Sequence, residues 1–122
     1  MEIGKRVWAI AEGYIPGWSN GPGHDFISHE AACILNAGDQ EANIEITIYF
    51  SDKDPVGPYK LQVPSKRTRH FRFNDLKDPQ PIPLATDYSS VIVSDVPVVV
   101  QHTRLDSRQD ANALITTIAY AQ

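Results

Sequence analysis

The segment "NIEITIYF", Asn43 to Phe50, constrains the fold more than any other stretch. Ile44, Ile46, Ile48 and Phe50 take alternate positions, and Glu45, Thr47 and Tyr49 take the others. A period of two belongs to a strand with one buried face and one wet face; a helix would scatter those isoleucines around its circumference. Other segments are also short and rich in β-branched or aromatic residues: "KRVWAIA" from Lys5, "FISHEAACILN" from Phe26, "YKLQV" from Tyr59 and "KRTRHFRF" from Lys66. "SSVIVS" and "VPVVVQHTRL" read as two further strands, separated at Asp95 to Pro97. Glycines and prolines between Gly13 and Gly23, the turn "SDKDPVGP", and Pro79, Pro81 and Pro83 mark the connections. The last segment, "ANALITTIAYAQ", has a helix-capping option in Ser107 and Asp110, but its β-branched and aromatic run predicts a closing strand. About eight short strands with frequent turns predict an all-β fold, an antiparallel β-sandwich of the jelly-roll kind.

A chain of 122 residues, 42% hydrophobic and 21% charged, suits one domain, 1–122, with a core of its own. The formal net charge of -4 speaks against polyanion binding by bulk charge and leaves room for a local basic patch. A single cysteine, Cys33, cannot form an intramolecular disulfide, which fits a reducing compartment. The first residues lack the apolar core of a signal peptide, and no stretch approaches the ~20 apolar residues that span a bilayer. The expectation is a soluble, cytoplasmic protein.

Four histidines, His24, His29, His70 and His102, are the possible metal ligands, two of them followed by Asp25 and Glu30. None has the short spacing of a metal motif, so hydrogen bonding at a surface or interface is the favoured role, and no cofactor is expected. "SDKDPVGPY" lacks the downstream acid of a calcium loop. His102, Asp106 and Ser107 have the composition of a catalytic triad, yet Asp106 and Ser107 sit in a predicted turn with no glycine-rich elbow. Enzymatic activity is therefore not expected.

Two stretches invite a binding reading. Lys66, Arg67, Arg69 and Arg72, interleaved with Phe71 and Phe73, have the residue types that contact phosphates and stack on bases. An edge strand guarded by charge is the plainer account. In "VVVQHTRLDSRQD", Val98, Val100, His102 and Arg104 share one face, and Val99, Gln101, Thr103 and Leu105 the other. Both faces begin apolar, so the second face needs a cover, from a long loop or a partner subunit. Arg104 and Arg108 flank Asp106, which suits ion pairing between subunits or anion binding.

The motifs "WAIAEGYIP", "FISHE", "ILNAGD", "EITIYFSDKDPVGPY", "RFNDLKDP" and "VVVQHTRLDSRQ…ALITTIAYA" together resemble the sensory rhodopsin transducer family from Trp8 to Ala121. The resemblance implies a small β-sandwich that assembles as a homotetramer and relays the signal of a microbial sensory rhodopsin from its cytoplasmic face. It also implies small-molecule binding, a sugar or related metabolite, and allows DNA binding as an alternative. A strand apolar on both faces and ending in paired charges fits such a subunit interface. On the binding reading, Trp8 and His29 stack and hydrogen-bond, Glu30 and Asp106 accept hydroxyls, and Arg69, His102, Arg104 and Arg108 donate. Whether His102 and Arg104 face a pocket or a neighbouring subunit is open at the level of sequence.

Overall fold

The computed structural model describes residues 2–21 and 23–122. Among these residues, eight antiparallel strands and two single-turn 3₁₀ segments make up the regular structure. They are β1 (Lys5–Tyr14), β2 (His29–Asn36), β3 (Ala42–Phe50), β4 (Val56–Val63), β5 (Arg67–Arg72), β6 (Asp87–Asp106), β7 (Ala113–Ile118) and β8 (Tyr120–Ala121). Among the described residues no helix is long and apolar enough to cross a membrane.

β6 organises the molecule. Its first half pairs with β3 (Ile44 opposite Ser94, Phe50 opposite Tyr88) and with β1, completing the ladder β4-β3-β6-β1-β8. Its second half pairs with β2 (Leu35 opposite Val99, His29 opposite Leu105) and with β7, and β5 joins the far edge of β2. The two strands expected at Ser89–Ser94 and Val96–Leu105 are thus one strand of 20 residues. Asp95–Pro97 falls where β6 has left β3 and has not yet reached β2, a place where a residue with no N–H costs no ladder bond. Tyr88, Ser90, Ile92, Ser94, Val98, Val100 and His102 are all buried, so the inward parity survives the crossing.

Chain contacts pin that crossing. The indole N–H of Trp8, buried, lies within hydrogen-bond distance of the carbonyls of Lys5 (3.0 Å) and Val98 (3.1 Å). Gly4, at φ 109°, passes so close to the Val98 carbonyl that a Cβ would lie 2.0 Å from its oxygen. The C-terminal segment makes the same change of ladder: β7 pairs with β6, Ala119 N–H bonds to the Val100 carbonyl (3.0 Å), and β8 pairs with β1.

One buried cluster draws on both ladders: Ile44, Ile46, Ile48, Tyr59 and Ile92 from one, Ala32, Ile34, Val98 and Val100 from the other. Each large apolar side chain fully withdrawn from water contributes about 1.5–3 kcal/mol. The alternation in β3 is as expected, with the three isoleucines buried and Tyr49 exposed. β2 begins later than its sequence suggested, at His29, because His24–Phe26 form a 3₁₀ turn.

Candidate functional site

Two polar residues of "VVVQHTRLDSRQD", His102 and Arg104, point inward, to a carboxylate on the neighbouring strand. Glu30 is on β2, directly opposite Arg104 of β6, with His102 one inward position along. Its side chain is fully buried. One oxygen, Oε1, meets His102 Nε2; the other, Oε2, accepts from Arg104 Nε and from the Tyr14 N–H of β1 (3.2 Å). Arg104 Nη1 continues to Glu12 Oε1 at 3.1 Å. Asn74 closes the backbone around this point, accepting from Glu30 N–H (3.2 Å) and donating to the Ser28 carbonyl (3.1 Å).

A buried carboxylate costs several kcal/mol unless its oxygens are matched, and here three donors on two ladders match it. Burial of Arg104 works against its charge, but hydrogen bonds and attraction to Glu30 and Glu12 outweigh this and hold the guanidinium pKa above its ordinary value. Burial, reinforced by the charge of Glu30, pushes the Tyr88 phenol far up and keeps it protonated. Gly13 makes room for that ring, since a Cβ there would lie 2.6 Å from it. His102 and Arg104 therefore face a partner within their own chain.

The remaining candidates from the sequence are dispersed. Asp106 and Arg108 form a local fork, with Nη2 to Oδ2 at 2.7 Å and Nε to Oδ1 at 3.1 Å, and this hydrogen bonding holds the Asp106 carboxyl below the usual range. Ser107 is buried and bonds to the Phe26 carbonyl and to Ser28 Oγ (3.0 Å), anchoring the long β1–β2 connection. No hydrogen bond joins it to His102 among the described residues. On β5, Arg67 Nη1 donates to the Lys66 carbonyl and Arg69 Nη1 to the Gln62 carbonyl, each at 2.9 Å, while Lys66 reaches Asp39 at 3.4 Å. Trp8 is committed to the ladder crossing.

Among the described residues two of the candidate ligand contacts line open concavities: Arg69 one of about 450 Å³ beside β3 and β4, and His29 a second. This second groove, about 520 Å³, lies on the outward side of β2, β5 and β6. Its floor is Ala31, Cys33 and Thr103; His24, His29, His70, Phe71, Arg72 and one carboxylate, Asp75, stand around it. Register explains its shape: Ala31 opposes Arg72 and Cys33 opposes His70, so small residues face long polar ones. Arg72 Nη1 donates to the His24 carbonyl (3.1 Å) and lies 3.2 Å from His24 Nε2. His29 Nδ1 donates to the Ile27 carbonyl at 2.7 Å, which turns Nε2 outward from that bond. Burial pushes the Cys33 thiol up, away from thiolate character. No three His, Cys, Asp or Glu side chains among the described residues converge well enough to hold a metal. His24, His70 and Arg72 escaped the sequence reading as a ligand set because their grouping depends on the β2–β5 register; the parity of β5 did place His70 and Arg72 on one face.

Fold and site define a small all-β protein, its buried carboxylate matched within the chain and a polar-walled groove open on one side. The chain belongs to the Anabaena sensory rhodopsin transducer family, whose model matches residues 3–121. A solved structure of the Anabaena sensory rhodopsin transducer is 67% identical, with a TM-score of 0.78, covering 84% of this chain and 99% of that one. A second, the crystal structure of Thermotoga maritima 1070, is 38% identical with a TM-score of 0.87, covering 98% of this chain and 96% of that one. No curated protein matches. The family indicated by the motifs between Trp8 and Ala121 is the family of this chain.

Proposed function

We propose that this chain is a non-enzymatic signalling module, acting in the cytoplasm as a homotetramer, that relays the state of a membrane sensory rhodopsin. The observation that carries the reading is the 67% identity to a protein described as a sensory rhodopsin transducer. The two ladders, sharing β6 and one core, are on this reading the layers of a jelly-roll-like sandwich, and 1–122 is a single domain. The test is titration of the purified protein onto a sensory rhodopsin in lipid nanodiscs, in darkness and under illumination. Saturable binding whose affinity changes with light is expected. Absence of binding in both states, with the receptor's photocycle unchanged by the protein, would overturn the relay.

A second reading, small polar ligand binding with a sugar as the first candidate, is favoured by the groove beside His29. Volumes of about 300–1,000 Å³ with a few convergent polar groups are the usual dimensions of such sites. On this reading Glu30, His102 and Arg104 serve the ligand indirectly, by holding β2 and β6 in register beneath the groove. The alternative of DNA binding through Lys66, Arg67, Arg69 and Arg72 draws less support, because Arg67 and Arg69 spend hydrogen bonds on backbone carbonyls.

A further inference from the structure

We propose that the groove on β2 and β5 binds the phosphoryl group of a small phosphorylated metabolite, with Arg72 as the anchor. This rests on the small-ligand reading above and names the ligand class. Arg72 is half-buried on β5, and no carboxylate oxygen lies within ion-pair distance of it, whereas the half-buried Arg104 and Arg108 are both paired with carboxylates. Its Nη1 is held by His24, which fixes the plane of the guanidinium. Nε and Nη2 make no hydrogen bond among the described residues, and together they form the edge that takes two oxygens of one anion.

The neighbours suit a tetrahedral dianion. Imidazoles stand on two strands, His29 on β2 and His70 on β5, and Thr103, whose hydroxyl is 3.0 Å from Thr116 Oγ1, lies on the floor. A planar carboxylate is saturated by one arginine edge; a phosphoryl group has oxygens left for donors on the other sides. One carboxylate, Asp75, also lines the groove, so the preference for an anion rests on Arg72, which has no carboxylate within ion-pair distance, standing among His24, His29 and His70. A neutral sugar fits less well, because the one aromatic ring at the groove, Phe71, packs against Phe73 (centroids 5.3 Å apart) and the core. A bare metal ion is disfavoured by the arginine and by the lack of convergent ligands.

The test is titration of the full-length protein with inorganic phosphate, glucose 6-phosphate and glucose, followed by the imidazole resonances of His29 and His70 and by calorimetry. Both phosphate-bearing probes are expected to shift those resonances, with inorganic phosphate binding on the order of millimolar. Arg72→Gln should weaken both by about tenfold or more, while Lys60→Gln, the same charge loss on β4 away from the groove, leaves them unchanged. Should Arg72→Gln disturb the fold, His70→Gln, exposed at the same groove, gives the second measurement and should also weaken binding. Tighter binding of glucose 6-phosphate than of phosphate supports a metabolite; equal binding supports the anion site with free phosphate as its occupant. If glucose binds as well as its phosphate and Arg72→Gln has no effect, the phosphoryl assignment is overturned and the small-ligand reading stands. If no probe binds, both fall.

Discussion

Glu30 is the residue on which most of the interior polar order depends. It is fully buried, and its two carboxylate oxygens are shared among His102, Arg104 and the Tyr14 backbone. Removing one partner of such a group costs more than the pair contributes, because the remaining charge is left buried and unmatched. Arg104→Ala should therefore destabilise the protein by about 3 kcal/mol, the low end for a buried pair because the arginine is 23% exposed. Arg104→Lys should recover little, since an ammonium has no fork to reach Glu30 and Glu12 together. Urea unfolding of the three proteins checks this; a loss below about 1 kcal/mol would mark the pair as an ordinary surface interaction. From the sequence, Glu30, His102 and Arg104 stand out as polar residues within apolar strands, and parity puts the last two on one face. That they share Glu30 was not legible, because the contact follows from a strand register spanning more than 70 residues.

At the level of the element, β7 is the anomaly. Leu114, Ile115 and Ile118 are each at least 60% exposed, the strand lies at the edge of its ladder, and no charged residue occurs from Ala111 to Gln122. Edge strands ordinarily carry a lysine, a proline or a bulge that prevents further pairing. β5, the opposite edge, does carry such charges in Arg67, Arg69 and Arg72. An uncharged edge with apolar side chains on both faces is suited to a second copy of itself, the contact a homotetramer would need. If the proposed homotetramer uses this edge, Ile118→Lys should reduce the particle, seen by light scattering, from four times the 13.6 kDa chain to a smaller species, with the far-ultraviolet circular dichroism unchanged. A variant that keeps the mass of the parent would remove β7 from the interface. The sequence did mark this segment as a strand by its β-branched run; that it lies at an edge depends on which strand it pairs with.

Across the whole molecule the charge is net negative, and the positive charges are spread over different surfaces. Lys66, just before β5, and Arg67 and Arg69 at its start are exposed, whereas Arg72 lines the groove. Duplex DNA should therefore bind weakly and without saturation at physiological salt. Fluorescence anisotropy between about 50 and 200 mM salt decides it: a log–log slope of about -3.6 would show four phosphates neutralised and establish the basic strand as a nucleic-acid surface. The all-β class, the position of most strands and the inward parity of β3 and β4 were determined by the sequence alone, which for the second half of β6 grouped the faces without deciding which is inward. Alternation of apolar residues is a local property, set by the two-residue repeat of an extended chain. Only the tertiary structure decided that β6 is a single strand serving two ladders, that Glu30 takes His102 and Arg104 inside the chain, and that Arg72, His29 and His70 surround one groove. Each of these depends on which distant strand lies alongside and in what register, and register is settled by the packing of the whole core rather than by any one segment.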